Sequence, residues 1–170
     1  INGWAEFQDA KTVKVGSGKD AMIIEGENVI LANGSVPIEL PFMKFDEQYI
    51  CSSTGALDID ALPEKVAVIG GGYIGLELGI ALRRLGSEVT VIEGLDKVLA
   101  IFDDELRRPL VTWLRKNGVK THLNCLAQGA EIKEGKVELT WKDADEKMQS
   151  ETFDKVLVTV GRRPNTKGWG

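Results

Sequence analysis

The sequence predicts an α/β fold: a parallel sheet flanked by helices, with a β-meander inserted before its last strand. Three observations predict it. The apolar run Val66-Ala67-Val68-Ile69 leads into Gly70-Gly71-Gly72 and then into apolar residues at helical spacing. A second apolar run, Val89-Thr90-Val91-Ile92, follows that helix. Residues 130–153 read as a meander, and the apolar run 156–160 comes directly after them. Short apolar runs joined by helices are the pattern of parallel strands buried on both faces.

The chain has 170 residues and is 43% hydrophobic, enough for a packed core and too much for a disordered chain. Its net charge of -5 argues against nucleic acid as the main partner, because a phosphate backbone needs a basic face. Arg162-Arg163 is too short a cluster to change that. No apolar run approaches the roughly 20 residues that span a bilayer, so no membrane association is expected. Ile1-Asn2-Gly3-Trp4 has neither a basic n-region nor the start of an apolar one, so no signal peptide is expected. Cys51 and Cys125 are too far apart in sequence for a redox pair or a zinc signature. A reducing cytoplasm is the expected location.

The elements follow in order. Residues 11–15 and 21–24 read as strands around the turn Gly16-Ser17-Gly18-Lys19-Asp20. Val29-Ile30-Leu31-Ala32 is a continuous apolar stretch, expected as a strand buried on both faces. Residues 36–64 hold Pro37, Pro41 and Pro63 and little periodicity, the composition of a connector. The helix after Gly72 carries Ile74, Leu78, Ala81, Leu82 and Leu85 as its apolar stripe, and Gly86 ends it. A second helix is expected from Asp103 to Asn117, with carboxylates in its first turn. Leu106, Leu110, Trp113 and Leu114 form its buried face. Pro109 predicts a kink or a late start. A strand over 119–123 precedes the meander.

Asn28 to Pro37 aligns without gaps on Lys155 to Pro164. In both, an apolar run reaches a glycine, and a proline comes three residues later. The second copy has a complete Gly-rich front half and the first has none. A duplicated domain is expected, with its first copy beginning upstream of Ile1, so the chain is read as a fragment.

The chemistry lies in Gly70-x-Gly72-x-x-Gly75, with Gly79 a turn later. Gly70 permits the tight turn. Gly72 lets a pyrophosphate approach the backbone, and Gly75 and Gly79 let the helix lie close on the sheet. The helix N-terminus offers unpaired N–H groups to the phosphates. Glu93 lies 23 residues after Gly70, near the position of a ribose-binding acid. Its charge would repel a 2′-phosphate by about 1 kcal/mol per charge pair in water, and by several-fold more when partly buried. Gly94-Leu95-Asp96 offers no arginine clamp, so NAD is expected over NADP. FAD can use the same glycine pattern. The fold expected is thus a Rossmann-like three-layer FAD/NAD(P)-binding domain.

On these residues the chain resembles the flavin-dependent pyridine nucleotide-disulfide oxidoreductases. Residues 29–37 (VILANGSVP) resemble the strand end that contacts FAD in that family. Residues 52–57 (SSTGAL) and 68–77 (VIGGGYIGLE) are similar to its dihydrolipoyl dehydrogenase branch. Residues 158–166 (VTVGRRPNT) match the family's GRRPN segment. The resemblance implies NAD contacts from Gly70, Gly71, Gly72, Tyr73, Ile74, Gly75, Leu76 and Glu77. Glu93 would meet the adenosine ribose, Ala127 the adenine, and Gly161 the nicotinamide half. Ala5, Asn33, Gly34 and Ser35 would touch FAD, with Asn33 departing from the family's usual threonine. The implied domains are a flavin-domain remnant (1–37), a connector (38–64), an NAD-binding domain (65–164) and a return segment (165–170).

The implied parent oxidises dihydrolipoamide through a disulfide and FAD and reduces NAD. It is a homodimer within or beside a 2-oxo-acid dehydrogenase complex. This chain has neither the CxxxxC disulfide nor the His-Glu pair, so it is expected to be catalytically inactive alone. His122, the one histidine, reads as a surface or packing residue, and both cysteines as small buried side chains. The alternatives are the NAD domain of an NADH oxidase or of a glutathione-reductase-like flavoenzyme, and a non-enzymatic NAD-binding redox sensor.

Overall fold

A computed structural model describes residues 1–168; Trp169 and Gly170, at the end of the expected return segment, lie outside the described residues. The chain divides into two compact units, residues 1–36 with 163–170, and residues 37–162.

The smaller unit is built on an antiparallel sheet of β1 (Ala5–Phe7), β2 (Thr12–Val15) and β3 (Met22–Glu25), in that order. Ala5 faces Val15 in register, and Val15 faces Met22. The glycine-rich turn forms a single 3-10 turn, Gly18–Asp20. Residues 29–32 are not a strand, which corrects the sequence expectation. Ile30 is 90% exposed and Leu31 66%. An apolar run becomes a buried strand only when neighbours pair with its backbone on both edges, and no described strand flanks this one. β4 (Ser35–Pro37) and β13 (Arg162–Pro164) form a two-stranded sheet with each other.

The larger unit has three layers. Its middle layer is a five-stranded sheet made of β5 (Ile50–Cys51), β6 (Lys65–Ile69), β7 (Glu88–Ile92), β8 (Lys120–His122) and β12 (Lys155–Val158). The order is β5-β12-β6-β7-β8, and every pair is parallel. One face carries α1 (Tyr73–Leu85) and α2 (Asp104–Lys116). The other carries the antiparallel meander of β9 (Leu126–Lys133), β10 (Lys136–Lys142) and β11 (Met148–Phe153). Alternation along the strands divides the core. Ala67, Ile69, Val156 and Val158 pack toward the meander with Phe153, Leu139 and Trp141. Val66, Val68, Val91 and Leu157 pack toward the helices with Leu76, Leu82 and Leu114.

Four expectations change here. The buried face of α1 is Gly75, Leu76, Gly79 and Leu82; Leu85 is 69% exposed and Ala81 is exposed. Glycines on a helix leave no side chain to hold it off, so the helix turns that face to the sheet. In α2 only Leu114 is fully buried, Leu110 and Trp113 are half-buried, and Leu106 is 68% exposed because it sits in the first turn. Pro109 lies inside α2, which begins at Asp104 with Asp103 as its N-cap, so the start is not delayed. The connector stretch 38–64 is more than a linker: it supplies β5, and Met43 is 1% exposed in the meander-side core.

Candidate dinucleotide-binding site

The sheet order creates a switch point between β6 and β12. From β6 the chain winds outward through β7 to β8, and β12 then returns to the other side of β6. Connections that leave neighbouring strands in opposite directions open a crevice at the C-terminal strand ends, where open α/β sheets bind ligands. Gly70-Gly71-Gly72 follows β6 there, Glu93 follows β7, and Thr159 and Gly161 follow β12.

The glycines have distinct reasons. Gly70 has φ +100°, and a Cβ on it would stand 2.7 Å from the Thr159 carbonyl oxygen. A Cβ on Gly71 would meet Val98 Cγ1 at 2.7 Å and Glu93 Oε2 at 3.1 Å. One on Gly75 would lie 2.4 Å from both Gly70 O and Thr159 Oγ1. At Gly79 the nearest atoms are valine methyls at 3.4 and 3.5 Å, so close packing is demanded at Gly75 and much less at Gly79. Gly72 has open space where its Cβ would be, and its extended backbone suits any residue. The protein's own packing does not call for glycine there. An external group approaching the backbone would.

Hydrogen bonds aim this loop. Glu93 Oε2 accepts the Gly71 N–H at 2.5 Å, and Oε1 accepts the Leu95 N–H at 2.8 Å. The Leu99 N–H donates to the Gly71 carbonyl at 2.9 Å. In a planar trans peptide the C=O and N–H point in opposite directions. With the Gly71 carbonyl turned to Leu99, the Gly72 N–H faces the other way. The first α1 amides, on Tyr73, Ile74 and Gly75, have no intrahelical acceptor, since the helix ladder starts with Leu76 N–H on Gly72 O at 3.0 Å. These donors, at the positive end of the helix dipole, suit a pyrophosphate.

Glu93 therefore staples the loop as well as standing where a ribose acid is expected. A carboxylate has about four lone-pair positions, which leaves acceptors for ribose hydroxyls. Ala127, expected beside the adenine, pairs with Trp141 in β9 and packs half-buried against the meander-side core. The Cys125 N–H donates to Glu93 O and the Asn124 N–H to Leu95 O, both at 2.9 Å, so residues 124 and 125 run along the Glu93 turn. Gly161, at φ +134°, accepts the Ile38 N–H at 3.0 Å on the β12 side of the crevice. Leu76 turns its side chain into the core at 2% exposure, while Tyr73 and Glu77 are exposed. Val98, Leu99 and Thr159 join the site with no motif in the sequence to announce them.

In the smaller unit, Ala5 is half-buried in β1 and the segment 33–35 enters β4, so the expected flavin residues sit on separate sheets. The Gly34 carbonyl accepts the Asn165 N–H at 3.1 Å, and Gly34 has φ +69° with open space at its Cβ position.

Both cysteines are free and buried, Cys51 in the helix-side core and Cys125 in the meander-side core, with the sheet between them. Burial pushes both thiols up from their ordinary range. Thiolates are the reactive form, so a thiol reagent at neutral pH is expected to label neither cysteine in the folded chain and both after denaturation. Rapid labelling of the native chain would contradict the buried placement. His122 is half-buried, its ring 5.7 Å from that of Trp141, a packing role. Among the described residues no cluster could hold a metal, and no helix is long and apolar enough to cross a membrane.

A parallel sheet with a switch point, a glycine loop at a helix N-terminus and an acid after the second strand define a dinucleotide-binding domain of the Rossmann class. More specifically, the chain belongs to the pyridine nucleotide-disulphide oxidoreductase family, whose model matches residues 1–169. It is 44% identical over 170 residues to the dihydrolipoyl dehydrogenase of Geobacillus stearothermophilus, covering all of this chain and 36% of that protein. A Staphylococcus aureus dihydrolipoyl dehydrogenase is 41% identical over the same coverage. Among solved structures, LpdA of Mycobacterium tuberculosis superposes with a TM-score of 0.87 at 28% identity, over 100% of this chain and 38% of that one. The Cu(II) complex of a cysteine-to-serine mutant of the flavoprotein disulfide reductase RclA of Escherichia coli gives 0.83 at 28% identity, over 98% and 37%. The chain thus spans about a third of the length of the proteins it matches.

Proposed function

We propose that the larger unit binds NAD(H) at the β6–α1 loop and that the longer protein it serves is a dihydrolipoyl dehydrogenase. The observation that carries the cofactor choice is Glu93. It is held by two backbone amides at the end of β7, with no arginine in Gly94-Leu95-Asp96 to receive a 2′-phosphate. NAD, when bound, supplies the hydride acceptor. This chain's residues bind and orient it. The Gly72 N–H and the first α1 amides receive the pyrophosphate, Glu93 takes ribose hydroxyls, and Ala127 and Gly161 border the two ends.

The electron path from dihydrolipoamide through a disulfide and FAD belongs to residues outside this chain, because its own thiols lie on opposite faces of one sheet. Residues 1–37 are read as the end of the flavin domain, 38–64 as the connector, 65–164 as the NAD domain and 165–170 as the return. Ala5 and Asn33-Gly34-Ser35 are the proposed flavin contacts, supported by the open backbone at Gly34. A homodimeric, cytoplasmic protein working with a 2-oxo-acid dehydrogenase complex completes the proposal.

The test is calorimetric titration of the chain with NADH and with NADPH. NADH should bind at least about tenfold more tightly, the effect expected of roughly 1.4 kcal/mol of charge repulsion. Equal affinities would defeat the NAD assignment, and no binding of either would defeat the site.

A further inference from the structure

The end of β12 carries a group that the glycine motif does not announce. The Thr159 N–H donates to the Ile69 carbonyl at 2.8 Å. The Thr159 hydroxyl lies 3.0 Å from Ile69 O and 3.1 Å from Gly70 O. It has one proton to give. Each carbonyl has a lone pair open to it, so Gly70 O is one of the two acceptors that the hydroxyl faces. The Gly70–Gly71 peptide is then held at both ends, its carbonyl by Thr159 and its N–H by Glu93 Oε2. The next peptide is held at its carbonyl by Leu99. The same hydroxyl oxygen lies against the first turn of α1, 2.4 Å from where a Cβ on Gly75 would be.

We propose that Thr159 is a positioning residue for dinucleotide binding. It fixes the plane of the first glycine peptide, and through it the direction of the Gly72 N–H and the seating of α1. Its hydroxyl does this, not its bulk. The proposal rests on the dinucleotide reading of the loop and adds a determinant from a strand 89 residues away in sequence.

Three variants separate the hydroxyl from the shape. Thr159→Val keeps the branched shape and removes the donor, Thr159→Ser keeps the donor, and Thr159→Ala removes it without added carbon. The readouts are the Kd for NADH, the Gly71 and Gly72 amide resonances of the free protein, and the thermal midpoint. Loss of one half-buried hydrogen bond to the loop is expected to raise the Kd about tenfold in the valine and alanine variants. Their Gly71 and Gly72 resonances should move before any NADH is added. The serine variant should stay within about twofold of the parent chain in Kd and keep the parent resonances. Midpoints lowered in all three variants with an unchanged Kd would reduce Thr159 to packing and overturn the proposal, as would a serine variant as weak as the valine one. If the unsubstituted chain bound no NADH, the dinucleotide reading itself would fail and this proposal with it. Tight binding by the parent and by both donor-free variants would remove only the role of Thr159.

Discussion

Gly75→Ala is expected to lower the stability of the chain by about 2–3 kcal/mol and to abolish NADH binding, because overpacking a tight contact typically has a cost of that order. The added Cβ would stand 2.4 Å from a backbone carbonyl, Gly70 O, and 2.4 Å from Thr159 Oγ1, with Val68 Cγ1 at 2.9 Å. A flexible side-chain tip could swing away, but the Gly70 carbonyl is part of the turn itself. Relief requires lifting the first turn of α1 off the sheet, which also carries away the amides proposed to receive the phosphates. Alanine's better helix propensity returns about 1 kcal/mol, already counted in that net figure. Gly72→Ala is the companion. Its Cβ meets nothing within 4 Å, so stability should stay within about 0.5 kcal/mol while NADH binding weakens. Urea denaturation and calorimetry on both variants check the contrast. An alanine at 75 with parental stability would mean that α1 does not lie this close to the sheet. Unweakened NADH binding by the alanine at 72 would mean that the ligand does not use that backbone.

Glu93→Ala is expected to have the next largest effect. It leaves the buried Gly71 N–H and the Leu95 N–H without their acceptor. A hydrogen bond to a charged group contributes about 1.5–3 kcal/mol, and water can replace the more exposed of the two, so a loss of about 2 kcal/mol is expected. NADH binding should fall below detection, since the loop loses its staple and the ribose its acid. Glu93→Gln divides the two roles. The glutamine oxygen can serve one amide while its NH2 opposes the other, so stability should fall by about half as much. Removing the negative charge should bring NADH and NADPH affinities closer together. A glutamine variant with the parent's full NADH preference would show that the discrimination lies elsewhere.

Much of this site was legible in the sequence because its parts are local. The strand, the glycines, the helix and the following strand are consecutive, and Gly70, Gly75 and Glu93 stand where spacing put them. The unannounced residues are non-local. Thr159 matters because β12 lies beside β6, and Leu99 because the loop after β7 folds over Gly71. The helix faces were misjudged for a related reason. Counting apolar residues placed Leu85 and Leu106 inside, whereas α1 seats on its glycines and Leu106 lies in the first turn of α2.

The repeat separates the two levels most plainly. Residues 29–32 and 156–158 carry the same apolar pattern, yet 156–158 lie in a buried strand and 29–32 are exposed without regular structure. Residue order alone was enough to establish the βαβ unit, its glycine turn and the acid that ends it, since periodicity and turn chemistry act over a few residues. Three-dimensional packing decided which side of each helix was buried and what aimed the glycine loop. A strand buried on both faces exists only when backbone partners arrive on both edges. β5 and β6 supply them to β12, and no described strand supplies them to residues 29–32.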